Sequence, residues 1–276
     1  MYLRPRTVNE ACAALAAEPM RILAGGTDIF PALGDRPLTG PVLDLSAVEG
    51  LSGIDLGADV IRIGARTSWS TIARATLPPA LRALQQAARE VGAIQIQNAG
   101  TIAGNLCNAS PAADGVPPLL ALDARVELRS AAGRRELPLA DFITGYRKTA
   151  RRPDELVSAI LVPRCIETAR SAFLKLGARK YLVISIAMVA VILACDNRGI
   201  IRDARIAVGA CSEVARRLNA LETALIGTKA EPGLGAAIRP EHLAGLAPID
   251  DVRASADYRR DVVRTLIART LDAALQ

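Results

Sequence analysis

Two short glycine-bearing segments, far apart in the chain, limit what it can fold into more than any other feature. The first is Ile22-Leu23-Ala24-Gly25-Gly26-Thr27-Asp28-Ile29, and the second is Thr101-Ile102-Ala103-Gly104-Asn105-Leu106, running on to Ser110-Pro111-Ala112-Ala113-Asp114. Each sets small residues, which let backbone approach a ligand, beside side-chain donors and acceptors at fixed offsets. Two such loops suit the diphosphate of a dinucleotide better than a single phosphate, and they point to a bound flavin. Backbone N–H groups at Gly26, Thr27 and Asp28 would face outward at a helix N-terminus, where unpaired donors and the dipole favour an anion. Asp28 is awkward there, because a carboxylate repels a phosphate; it is expected to accept from a hydroxyl or to cap the helix. In the second segment Gly104 would permit close backbone approach, with hydroxyls from Thr101 and Ser110 and an amide from Asn105. Plainer readings stand beside these: a strand-to-helix turn at Gly25-Gly26 and an ordered Asx-type turn in the second segment.

Composition removes several other kinds of chemistry. The net charge of +6 invites a nucleic-acid partner, but only Lys148, Lys175, Lys180 and Lys229 among the 34 basic residues are lysines, and the arginines are scattered. Aromatics are 3% of the chain, too few for a base-stacking platform. The five cysteines form no C-x-x-C, and an odd count argues against a disulfide framework. A single histidine, His242, cannot build a zinc site or a Ser-His-Asp triad. Any redox chemistry is therefore expected from a borrowed organic cofactor. No signal-peptide pattern opens the sequence, and the longest apolar run, Tyr181 to Cys195, is too short to span a bilayer. A cytoplasmic location is expected.

The patterning predicts three modules, over residues 1–48, 49–165 and 166–276. Thr7-Val8-Asn9-Glu10 reads as a capping box opening a helix to about Ala17. A strand over 21–24 leads into the first loop, with Thr27 as N-cap of the next helix, and Pro41–Leu45 is a second strand. Gly53–Leu56 and Val60–Gly64 read as a hairpin, followed by helices over 67–75 and 80–91. Arg125–Ser130 with Arg134–Leu137 makes another hairpin, and Glu155–Val162 a further strand. In the last third, Ser171–Leu176, a long apolar strand over 183–194 and Ile200–Gly209 predict a three-stranded sheet. A closing helix over 255–275 would bury Tyr258, Val262, Leu266, Thr270 or Leu271, and Leu275 on one face.

The usual dinucleotide fingerprints are missing. The nearest approach to G-x-G-x-x-G, at Gly233-Leu234-Gly235, has no βαβ context, and no P-loop occurs. Instead Ala24-Gly25-Gly26-Thr27-Asp28 and Thr101-Ile102-Ala103-Gly104-Asn105-Leu106-Cys107-Asn108-Ala109-Ser110-Pro111 with Asp114 resemble the FAD-binding (medium) subunit of the molybdenum hydroxylases. That family includes xanthine dehydrogenases, aldehyde oxidoreductases and carbon monoxide dehydrogenases. The likeness continues in family order through Phe142-Ile143-Thr144-Gly145-Tyr146-Arg147-Lys148-Thr149, Asp154-Glu155-Leu156-Val157 and Phe173-Leu174-Lys175-Leu176-Gly177.

The resemblance implies an α+β fold, a two-part FAD-binding domain of the vanillyl-alcohol-oxidase type followed by the C-terminal sheet with helices. Non-covalent FAD would lie between the first two modules. Residues Ile22 to Ile29 and Thr101, Ala103, Gly104 and Asn105 would hold the diphosphate, with Ser110 nearby. Asp114 would contact the sugar-like chain, the Val157 backbone would approach the isoalloxazine ring, and Tyr146 would border the face where an electron acceptor docks. Ala103 replaces a second glycine of many relatives. Ser185 stands where xanthine dehydrogenases place a flavin-contacting lysine, leaving Lys175, Arg179 and Lys180 as alternatives. The implied partners are a large subunit with a molybdenum–molybdopterin centre and a small subunit with [2Fe-2S] clusters, with NAD, a quinone, a haem protein or O₂ as terminal acceptor. Two rivals remain at this level: a stand-alone FAD oxidoreductase of the same fold, and a flavin-free scaffold subunit.

Overall fold

The computed structural model describes all 276 residues. The capping box forms as the sequence predicts: the Glu10 N–H donates to the Thr7 hydroxyl at 3.1 Å while the Glu10 carboxylate accepts from the Thr7 N–H, and the helix Val8–Ala17 follows. Ala11, Cys12 and Leu15 of this helix pack on a small parallel sheet, in which Val42–Asp44 lies between Tyr2–Leu3 and Arg21–Leu23.

A second, antiparallel sheet of five strands has Leu156–Pro163 at its centre, flanked by the hairpin Ile54–Leu56 with Val60–Gly64 and by the hairpin Arg125–Ser130 with Gly133–Pro138. Both hairpins form where the sequence predicts them. Helices Trp69–Arg74 and Arg82–Glu90 bury Trp69, Ile72, Leu84 and Ala87 in the same core. The short helix Ile94–Ala99 was not expected. Neither was the conformation of the second glycine segment, which is the helix Ile102–Asn108. Thr101 caps it, accepting the Gly104 N–H at 3.1 Å. A hydroxyl N-cap favours helix over loop here, despite the glycine at the third helical position.

The C-terminal sheet has four strands where three were expected. Arg170–Leu176, Ala187–Cys195 and Ile201–Gly209 form the antiparallel body, and the two-residue strand Arg216–Arg217 pairs with Ile201–Gly209. Its central strand begins at Ala187, later than residue 183, and Leu182 in the preceding loop has left-handed backbone (φ +54°). That strand is buried on both faces. Met188, Ala190 and Ile192 point into the core of the second sheet, while Ala187, Val189, Val191 and Leu193 point toward the closing helix. A two-sided burial is why its sequence is an unbroken apolar run with no alternation.

The closing helix, Ala256–Ala274, starts at the Ser255 cap. Its buried face is Arg259, Val263, Leu266, Ile267, Thr270, Leu271 and Ala274. This stripe is rotated from the expected one: Tyr258 is exposed, because Arg259 takes the inward position and bonds the carbonyl oxygens of Ile186 and Ala210 and the Asp251 carboxylate. No helix is long and apolar enough to cross a membrane.

Candidate functional site

The loop that leaves Arg21–Leu23 and the helix Ile102–Asn108 face each other across a cavity of about 640 Å³. This lies within the range of small-molecule sites, roughly 300–1,000 Å³. Gly25 makes the loop's path sterically feasible: a Cβ there would overlap the Ala99 carbonyl oxygen and lie 2.6 Å from its carbon. Gly26 follows with φ +69°, the left-handed region that other residues enter at a cost. The bend leaves the backbone N–H groups from Gly25 to Ile29 with no hydrogen-bond partner in the protein.

The helix opposite differs. Its first N–H groups are all taken: Ile102 donates to the Thr67 carbonyl, Ala103 to the Ala65 carbonyl, Gly104 to the Thr101 hydroxyl and Asn105 to the Thr101 carbonyl. Gly104 therefore presents no free backbone donor, and what this segment offers a ligand is side chains. The Asn105 Oδ1 is buried and has no partner, and the same holds for the Arg66 Nε in the adjoining wall.

Of the residues singled out from sequence, Ile22, Ala24, Gly25, Gly26, Thr27, Asp28, Ile29, Thr101, Ala103, Gly104, Asn105 and Val157 line this one cavity. Leu23 does not. Ser110 lies off the wall and accepts the Ala112 N–H in a turn. Asp114 and Lys175 are not among the residues that line this cavity. They form a buried ion pair at 2.8 Å, and Ser185 donates to the same carboxylate at 2.9 Å. Lys175 also donates to the Glu90 carbonyl. Burial pushes the Asp114 carboxyl above its usual range, against the opposing pull of Lys175 and Ser185. Both charges are thus engaged inside the protein, away from the wall. Tyr146 is exposed outside the cavity, its N–H held by the Glu213 carboxylate.

Asp28 stands at the N-cap position but its side chain makes no cap hydrogen bond. Its two oxygens accept from Arg147 Nη1 at 3.2 and 3.0 Å. Thr27 is displaced from the cap position it was expected to hold, since the helix begins one residue later, at Ile29. Sequence reading missed the wall's arginines, Arg21, Arg66, Arg147 and Arg151. Arg147 lay inside a quoted motif, but Arg66 carried no local signal. Cys107 also faces the cavity, where it is exposed.

Free backbone donors, four arginines against one carboxylate, an unpartnered donor and acceptor, and apolar surface from Leu45, Trp69, Val91 and Ile96 make up the wall. This donor set fits a dinucleotide with an anionic middle and flat, largely apolar ends.

Residues 1–165 match a family described as the FAD binding domain in molybdopterin dehydrogenase, and residues 172–274 match the CO dehydrogenase flavoprotein C-terminal domain. The chain is 32% identical over 276 residues to the nicotine 6-hydroxylase medium subunit of Paenarthrobacter nicotinovorans, covering 98% of this chain and 95% of that one. It is 31% identical over 281 residues to a putative xanthine dehydrogenase FAD-binding subunit of Escherichia coli (strain K12), covering 99% and 95%. Among solved structures, a carbon monoxide dehydrogenase from Hydrogenophaga pseudoflava superposes with a TM-score of 0.90 at 29% identity, covering 99% of this chain and 96% of that one. Quinoline 2-oxidoreductase from Pseudomonas putida 86 gives a TM-score of 0.89 at 26% identity, covering 100% and 96%.

Proposed function

The chain belongs to the FAD-binding molybdopterin dehydrogenase family of oxidoreductase subunits, and on that premise we propose that it carries electrons out of a molybdenum hydroxylase complex. The observation that best supports this is the wall of the cavity, where two segments distant in sequence supply a run of free N–H donors and an unpartnered amide oxygen. In this reading the Gly25–Ile29 backbone holds the diphosphate, the side chains of Thr101 and Asn105 hold the adjoining part of the FAD, and Leu156 and Val157 bound an apolar end. When bound, FAD supplies the redox chemistry, accepting electrons from [2Fe-2S] clusters of a small partner and delivering them to NAD or another acceptor. The chain's own task is to position the FAD, exclude water and set its electrostatic surroundings. The molybdenum centre and the oxidised substrate belong to a large partner, and the whole assembly is read as cytoplasmic. The relatives' names as medium subunits support partners of this kind.

The test is to purify the chain alone and after co-expression with a molybdenum subunit and an iron–sulfur subunit. Each chain should release about one FAD on acid precipitation. The isolated chain should show no hydroxylase activity, whereas in the complex, substrate should bleach the flavin absorbance under anaerobic conditions. Turnover of a carbon substrate by the isolated chain at ordinary enzyme rates, on the order of 1–1,000 per second, would replace this reading with a stand-alone oxidoreductase.

A further inference from the structure

Asp28 is the single carboxylate in the cavity wall, and it sits among the free backbone donors of the glycine loop. An anion held there would meet it at short range. Arg147 is placed against this one charge. Its Nη1 donates to both Asp28 oxygens and to Asn108 Oδ1, so a single nitrogen joins the glycine loop to the end of the opposing helix. Among ion pairs, this is the only one linking residues 1–48 to the rest of the chain. The backbone maintains it at a cost. Arg147 has φ +58°, unusual for a residue with a side chain, and is held there by its N–H bond to the Ala109 carbonyl at 2.9 Å. Ala109 is itself left-handed, at φ +45°. The other wall arginines, Arg21, Arg66 and Arg151, form no ion pair and remain available as cations.

We propose that Arg147 is a positioning residue that masks Asp28, cancelling its charge so that the same loop can hold the cofactor's diphosphate. This rests on FAD occupying the cavity. Arg147 acts through Asp28, so its value depends on that carboxylate being present. Without Arg147 the bare carboxylate repels the diphosphate; without both, the repulsion disappears as well.

The experiment measures the FAD dissociation constant of the full-length chain by flavin fluorescence, with circular dichroism to confirm folding. Arg147→Ala should weaken binding about tenfold, a like-charge penalty discounted for the half-exposed setting. Asp28→Asn should stay near wild type. The double variant should return to within about threefold of wild type, and Arg147→Lys, which keeps the charge, should do the same. A double variant as weak as Arg147→Ala overturns the mask and makes Arg147 a direct ligand of the cofactor or a plain structural contact. Asp28→Asn as weak as Arg147→Ala also overturns it, in favour of a mechanical clamp. A wild-type chain that binds no FAD overturns the functional reading itself, and a wild-type chain that binds FAD while Arg147→Ala is unaltered overturns the mask alone.

Discussion

Gly25 and Gly26 stand side by side, yet their constraints differ in kind. A methyl group on Gly25 would meet the Ala99 carbonyl, which is backbone and cannot step aside. A methyl group on Gly26 would lie 2.5 Å from the Phe30 ring, an exposed side chain that can rotate, leaving mainly the strain of φ +69°. Gly25→Ala should therefore abolish FAD retention, whereas Gly26→Ala should cost on the order of 1–2 kcal/mol and keep some cofactor. Equilibrium dialysis against FAD separates the two; equal losses would refute the distinction. Asp114 offers a second contrast. Its carboxylate compensates the buried Lys175, so Asp114→Ala should lower the stability of the FAD-free chain by about 3–5 kcal/mol in denaturant titration. A residue that served only to contact cofactor would leave the FAD-free chain unchanged.

At the scale of elements, the closing helix depends on a polar anchor as much as on its apolar face. Arg259 is buried on that helix, and Asp251, in the preceding loop, accepts from its guanidinium at 2.7 Å. The Asp251 carboxyl is held down to about 2: burial opposes its charge, but the N–H of Arg253, the guanidinium groups of Arg253 and Arg259 and the N–H of Ala254 outweigh that. The folded value lies below the ordinary one near 3.8. Its stabilisation is therefore complete above about pH 4 and lost as pH falls toward 2. Asp251→Asn should be less stable than wild type at pH 7, with the gap closing across that window in denaturant titrations at stepped pH. A gap independent of pH would mean that the carboxylate's charge is not what anchors the helix.

Across the whole molecule, the strand Ala187–Cys195 is shared between two cores. Ile192 lies in the same buried core as Val126 and Ile160 of the central sheet, and Val191 in the same buried core as Ile267 and Leu271 of the closing helix. Asp123 reinforces the junction from the second sheet's side, pairing with Arg205 at 2.7 Å and Arg217 at 2.8 Å in the C-terminal sheet. Ile192→Ala and Val191→Ala should each cost about 2–4 kcal/mol, and both should lower a single calorimetric transition. Two separated transitions would show that the C-terminal sheet unfolds on its own. This continuity also places Lys175 and Ser185, at the two ends of one loop, on the Asp114 carboxylate of the central part of the chain.

Local chemistry made much of this legible in the sequence. A hydroxyl three residues before a glutamate marks the Thr7 cap; the turns at Gly57-Ala58-Asp59 and at Gly133 mark the two hairpins; a long apolar run marks a buried strand. The family pattern around Gly25, Gly26, Gly104 and Asn105 brought together residues that do share one cavity. Each of these signals acts over a few residues, within reach of propensity and period. Tertiary structure decided which groups remain free to act. Whether the N–H of Gly104 is available depends on Thr101 turning inward as a cap, and whether Asp114 meets a ligand depends on Lys175 arriving from another sheet. Asp28 and Arg147 are 119 positions apart, and Arg66 belongs to no motif. Charge neutralisation and hydrogen-bond satisfaction are set by distances of a few ångström, which the chain acquires only once its sheets are in register.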